Sequence, residues 1–258
     1  MIPVFEPEVL KEDIASVVRT LKNKELSGTF SKSINKFESE FANFCHCKYG
    51  VSVSSGTTAL HLAISILNLK KNSEIIVSSC TNIATALACY HNNCIPVPVD
   101  SDLNTWNIDE EKIEKLINKK TKAIIVVHLY GIPTVMDPIL ELSKKNNLLI
   151  IEDCAQAHGA KYSGQNVGTF GDIGCFSFYP TKNLGCYGDG GMITTNSEES
   201  YNTIKKLSNH GSSLKYHHDI IGYNSRLDEI QAAVLNIKLK YIDKFNLMRV
   251  KTADIYNN

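Results

Sequence analysis

Lys182 lies in the run Cys175-Phe176-Ser177-Phe178-Tyr179-Pro180-Thr181-Lys182-Asn183-Leu184, beside a proline and five residues after a serine hydroxyl. A loop lysine is ordinarily a solvated charge. Partial burial lowers its pKa and turns the same amine into a nucleophile and proton carrier. Ser54-Ser55-Gly56-Thr57-Thr58-Ala59-Leu60 follows the short apolar strand Val51 to Val53 and opens a helix with Leu60, Ala63, Ile64 and Leu67 on its inner face. Free N–H groups at a helix start, with hydroxyls beside them, hold phosphate well. Taken alone, such a cluster reads as a helix cap. Asp153 closes the apolar run Leu148 to Ile151 and enters Cys154-Ala155-Gln156-Ala157-His158-Gly159. Ligands gather at the carboxyl ends of strands in open α/β sheets, so an acid there is well placed for a site, although an isolated Asp caps the next helix about as often.

An amine, a phosphate cradle completed by Ser177 and a strand-end acid together suit an aldehyde cofactor that bears a phosphate. That cofactor would be pyridoxal 5'-phosphate (PLP). The lysine would form its Schiff base, and the acid would keep the pyridinium nitrogen protonated so that the ring draws electrons. The stretch Gly185-Cys186-Tyr187-Gly188-Asp189-Gly190-Gly191 does not place GxGxxG between a strand and a helix, so a dinucleotide-dependent dehydrogenase is a weak rival.

Such a site needs an α/β scaffold, and the patterning supplies one. Short apolar runs at Ile75 to Val77, Ile95 to Val99, Ala123 to Val127 and Leu148 to Ile151 read as largely parallel, buried strands, separated by segments long enough for helices. Ile14, Val17, Val18 and Leu21 share one helical face, and Ile34, Phe37, Phe41 and Phe44 another. Asp137-Pro138 predicts an N-cap and first-turn proline for a helix reaching about Lys145. Leu227, Ile230, Val234, Ile237 and Tyr241 predict one face of a long helix after the turn at Asn224-Ser225-Arg226, with Asp228 and Glu229 in its first turn. With no repeat or low-complexity linker, one large domain over residues 1–258 is the economical reading.

The 258 residues carry 27 basic and 27 acidic side chains, a formal net charge of zero. No broad attraction to nucleic acid or to an anionic membrane follows, and any anion must be held locally. Neither a secretory leader pattern nor a run of about 20 apolar residues is present, so the expectation is a soluble cytoplasmic protein. The eight cysteines form no pair of CxxC elements, and the expected state is reduced and buried. Cys45-His46-Cys47 lacks a second ligand pair to close a tetrahedral site, so no metal is expected.

In these segments the chain resembles the DegT/DnrJ/EryC1/StrS family of PLP-dependent nucleotide-sugar aminotransferases. The likeness runs in order through Ser55 to Leu60, Val127-His128-Leu129-Tyr130-Gly131, Glu152 to Gly159, Val167 to Asp172, Phe176 to Leu184 and Gly222 to Asp228. It implies the fold type I (aspartate aminotransferase-like) large domain, a mostly parallel central sheet flanked by helices, in a homodimer with shared sites. By position, Lys182 is the Schiff-base lysine, Asp153 the partner of the pyridine nitrogen, and Gln156 faces the ring 3-hydroxyl. Thr57, Thr58 and Ser177 hold the phosphate, with Asn224 reaching across from the other subunit. The implied reaction moves an amino group from an amino acid, glutamate, to a nucleotide-linked keto-deoxy sugar for amino-sugar and glycan biosynthesis. The Ser55 to Leu60 segment resembles members that aminate C4, the Tyr223 to Glu229 segment members that act at C3, and C4 is the first expectation. Related sugar dehydratases carry histidine where this chain has Lys182.

Two departures stand out. Asn82 occupies a position where many members place an aromatic ring over the cofactor. The resemblance also implies a C-terminal small domain of about a hundred further residues, whereas this sequence stops in what resembles a connecting helix at about 239–258, with residues 1–25 forming an N-terminal segment. The alternative expectation is therefore a truncated, non-catalytic PLP-fold subunit, or one completed by another chain.

Overall fold

The computed structural model describes residues 5–27 and 32–257. Helices α1 (Lys11–Lys22) and α2 (Lys32–Cys45) precede strand β1 (Tyr49–Val53) and helix α3 (Gly56–Ser65). β2 (Glu74–Ser78), α4 (Ile83–His91), β3 (Ile95–Val99), the short α5 (Glu110–Ile113), β4 (Thr121–Val127), α6 (Met136–Asn146) and β5 (Leu149–Asp153) follow. A small hairpin, β6 (Lys161–Tyr162) and β7 (Gln165–Asn166), leads to β8 (Ile173–Ser177), β9 (Gly191–Thr195) and α7 (Glu198–Ser208). A second hairpin, β10 (Ser212–Leu214) and β11 (His217–His218), precedes α8 (Glu229–Lys238) and α9 (Ile242–Asn257).

Seven strands form one sheet in the order β1-β9-β8-β5-β4-β2-β3. β8, β5, β4, β2 and β3 pair in parallel, and β9 is antiparallel to both β8 and β1. The carboxyl ends of all strands except β9 therefore lie along one edge. Strand alternation divides the apolar residues between two faces. Ile75, Val77, Ile125 and Ile151 pack with Leu60, Ala63 and Ile64 of α3 on one side. On the other, Ile76, Ile124 and Ile150 meet Met136 and Ile139 of α6, while Phe176 and Met192 meet Phe37 and Phe41 of α2. The sheet is thus buried on both faces, which is why its strands read as continuous apolar runs.

The α2 face is buried as expected at Ile34, Phe37 and Phe41, with Phe44 partly buried. α1 departs from expectation: Ile14, Val18 and Leu21 are about half exposed, and Asp13, Ser16 and Thr20 face inward. Polar contacts select that face. The Asp13 carboxylate accepts from Leu10 N–H at 3.0 Å and from the Tyr187 hydroxyl at 2.6 Å, and the Ser16 hydroxyl donates to the Ala233 carbonyl of α8 at 3.2 Å. α6 starts two residues earlier than expected, with Val135 as N-cap, and Asp137 instead accepts from the Tyr162 hydroxyl at 2.9 Å. α8 is shorter than the predicted helix: Leu227 precedes it and Tyr241 falls in a 3₁₀ turn before α9. Packed against both α1 and α2, it buries Ala232, Ala233, Val234 and Leu235 consecutively, so no single face describes it. Seven cysteines are buried, Cys80 is partly so, and all are free.

Candidate active site

The site forms where β4, β5 and β8 end and the chain turns over the sheet edge. Asp153, the last residue of β5, pairs with Val127 and Cys175 in the neighbouring strands and is 5 % exposed. Its Oδ1 accepts from Ala155 N–H at 3.1 Å and its Oδ2 from the Thr85 hydroxyl at 2.9 Å. Burial pushes its pKa up, while these two donors and the nearby Lys182 amine pull it back. Lys182 follows β8 on a turn closed by its own N–H to the Tyr179 carbonyl at 2.9 Å. Partial burial lowers its pKa, opposed by the negative charge of Asp153.

Lys182 and Gln156 line two adjoining spaces. One, of about 450 Å³, is also bounded by Tyr130, His158, Asn183 and Arg249. The other, of about 30 Å³, reaches Asp153, His128, Thr81 and Asn82. Gln156 Oε1 accepts from Tyr130 N–H at 2.8 Å, which leaves its amide NH₂ as the end able to donate to a ligand. Asn82 is the N-cap of α4, its Oδ1 accepting from Ala84 N–H at 3.0 Å, so its amide oxygen is committed to the helix start while it borders the Asp153 chamber.

The expected phosphate cradle lies between α3 and β8. Ser55 caps α3: its hydroxyl accepts from Thr58 N–H at 3.1 Å, and the Thr58 hydroxyl donates to the Ser55 carbonyl at 2.9 Å. The Thr58 hydroxyl proton is thereby used locally. The N–H groups of Gly56 and Thr57, in the first turn, have no intrahelical acceptor. A Cβ at Gly56 would lie 2.6 Å from Ser177 Cβ and 3.2 Å from its Oγ, so glycine is what lets the helix start and Ser177 share one small space. Asn224 is exposed before α8, in an isolated bridge with Asn209, and its neighbour Ser225 lies 3.4 Å, hydroxyl to hydroxyl, from Ser54.

Beneath the site is a buried unit for which the sequence offered only a motif. Glu152 Oε1 accepts from Phe170 and Gly171 N–H at 2.8 and 2.7 Å, and Oε2 from Gly168 N–H at 2.7 Å and His128 Nε2 at 3.0 Å. Thr134 N–H donates to His128 Nδ1 at 3.1 Å, so the ring proton sits on Nε2. His128, Glu152 and Cys154 cluster as metal ligands would, but four donors already occupy the carboxylate. Gly168 has φ +84° and a Cβ there would strike Phe176, which confines that donor loop to glycine. A second lock holds the lysine turn. Asn183 Nδ2 donates to the His158 carbonyl and to Asn246 of α9, and its Oδ1 accepts from His158 Nδ1 at 2.7 Å. Burial holds His158 neutral, its pKa lowered to about 4.

Residues 7–258 match the sequence model of the DegT/DnrJ/EryC1/StrS aminotransferase family. The chain belongs to that family. Among its members, the UDP-N-acetyl-3-dehydro-alpha-D-glucosamine 3-aminotransferase of Acidithiobacillus ferrooxidans is 48 % identical over 219 residues, 85 % of this chain and 59 % of that protein. The dTDP-3-amino-3,6-dideoxy-alpha-D-galactopyranose transaminase of Aneurinibacillus thermoaerophilus is 46 % identical over 259 residues, 99 % of this chain and 71 % of that one. A solved GDP-4-keto-6-deoxy-D-mannose-3-dehydratase of Escherichia coli, with bound hydrated PLP, superposes with a TM-score of 0.92 at 28 % identity, covering 98 % of this chain and 70 % of the other. The chain thus spans about three fifths of the first relative's length and about seven tenths of the other two. The fold is that of the family's PLP-dependent fold type I members, and no described helix is long and apolar enough to cross a membrane.

Proposed function

We propose that the chain is the PLP-binding part of an aminotransferase that moves an amino group from an amino acid, glutamate, to a nucleotide-linked keto-deoxy sugar. One observation carries this reading: Lys182 and Asp153 border one chamber at the strand ends, and the α3 start and Ser177 form a separate anion cradle at the same sheet edge. These groups suit PLP, which when bound supplies an electrophilic carbon and an electron-withdrawing ring. Glycine at position 56 leaves space beside Ser177, where the N–H groups of α3 and that hydroxyl hold the phosphate. The Asp153 carboxylate would keep a proton on the ring nitrogen, and the Gln156 NH₂ would donate to the ring oxygen. Lys182 Nζ, kept more readily as the free amine by its burial, would be the nucleophile that holds the cofactor and the group that moves a proton at the reacting carbons. Thr57 and Thr58 contribute through their place in the first turn of α3. Asn224, exposed in this chain, completes the cradle of a second subunit in a homodimer.

The ring position has two readings. The Ser55 to Leu60 segment favours C4, and two relatives above 45 % identity named for 3-amino chemistry favour C3. Incubation with PLP, ¹⁵N-glutamate and either a 4-keto-6-deoxy or a 3-keto sugar nucleotide separates them. Mass spectrometry should find ¹⁵N in one amino sugar; label in neither product would remove the proposed activity from this chain.

A further inference from the structure

Thr85 is fully buried in the first turn of α4, yet its hydroxyl does not bond back to its own helix as helical threonines commonly do. It reaches across 68 residues of sequence to Asp153 Oδ2 at 2.9 Å. An ionised carboxylate only accepts, so the single Thr85 proton is spent on that bond. The Thr81 Oγ1 to Thr85 Oγ1 contact, also 2.9 Å, must then run from Thr81 to Thr85. The result is a directed relay, Thr81 to Thr85 to Asp153, and Thr81 borders the same small chamber as Asp153 and Lys182.

We propose that Thr85, oriented by Thr81, is a positioning residue that keeps Asp153 ionised and aimed at the cofactor's ring nitrogen. Among the described residues the Asp153 carboxylate has only one other hydrogen-bond donor, Ala155 N–H. Carboxylates deprived of donors in a buried setting take up a proton, and a neutral acid cannot hold a pyridinium. The titratable groups facing Asp153 are Lys182 from the β8 turn and His128 following β4, with the buried thiols Cys154 and Cys175 beside it. None of these replaces a directed donor on Oδ2. The connection to the ring nitrogen rests on the PLP reading above, whereas the relay's hold on Asp153 does not.

Two measurements test it. In the cofactor-free chain, infrared titration of Asp153, assigned against Asp153→Asn, should move upward by about one pH unit, a tenfold change in proton affinity, in Thr85→Val. Thr85→Ser should restore the original value, and Thr81→Val should give a smaller shift of the same sign. In protein loaded with ring-¹⁵N PLP, the wild type and Thr85→Ser should show a protonated ring nitrogen and Thr85→Val a smaller protonated fraction. Unchanged titration and ¹⁵N signals in both valine variants would overturn the relay. Should Thr85→Val not fold, Thr81→Val carries the same decision. A wild type that fails to bind PLP through Lys182 would instead overturn the PLP reading, leaving the infrared titration to decide the relay alone.

Discussion

At the residue scale, the site works by withholding water from a few groups and replacing it with fixed donors. Asp153 is raised by burial and rescued by Ala155 and Thr85; Lys182 is lowered by burial and steadied by Asp153. His158 shows the same physics in a structural role. Its folded pKa of about 4 lies below the ordinary 6.5, so the unfolded chain binds the extra proton between those values. Stability from this group is therefore fully present above pH 6.5 and is lost as pH falls toward 4, by at most about 3 kcal/mol. Denaturant unfolding across that window should be steeper in pH for the wild type than for His158→Gln; equal slopes would show that His158 is not buried neutral.

At the element scale, packing was legible wherever a whole face is apolar. The Phe37 and Phe41 face of α2, the run Ala123 to Val127 and the start of α3 at Ser55-Gly56 all lie where periodicity and capping chemistry put them. α1 was not legible, because the residues that dock it are Asp13, Ser16 and Thr20, whose partners Tyr187 and Ala233 are distant in sequence. Asp13→Ala should cost about 1–3 kcal/mol by stranding two donors, and Ile14→Ser should change stability by less than about 0.5 kcal/mol. Chemical denaturation of the two variants checks this, and the reverse ranking would mean that the apolar face is the one that packs. Of the candidate site, the motifs pointed to Lys182, Asp153 and Gln156, which line one chamber, and to Ser177, which lies beside Gly56. Thr85 and the four-donor Glu152 unit were not, since each depends on a strand or helix that pairs only in the folded sheet. The α3 and β8 junction carries its own test. Gly56→Ala forces a methyl onto Ser177, so PLP affinity should fall at least about tenfold, roughly 1.4 kcal/mol, with little loss of Lys182 reactivity toward a phosphate-free aldehyde. Unchanged PLP affinity would place the phosphate elsewhere.

At the scale of the whole molecule, a sheet with one antiparallel strand gathers the ends of β4, β5 and β8 at a single edge, and the turns leaving them bring the amine, acid and amide together. The His158, Asn183 and Asn246 lock ties that edge to α9, so the last helix of the chain is fixed to the turn that carries the lysine. With a net charge of zero, no general field draws anions to the molecule. The central claim is that Lys182 bonds PLP and accepts an amino group from glutamate. The visible absorbance spectrum of the purified chain with PLP, before and after glutamate, beside Lys182→Ala, tests it most directly. The expected result is a band that requires Lys182 and is bleached by glutamate; no band, a band that survives Lys182→Ala, or one that glutamate leaves unchanged would contradict it.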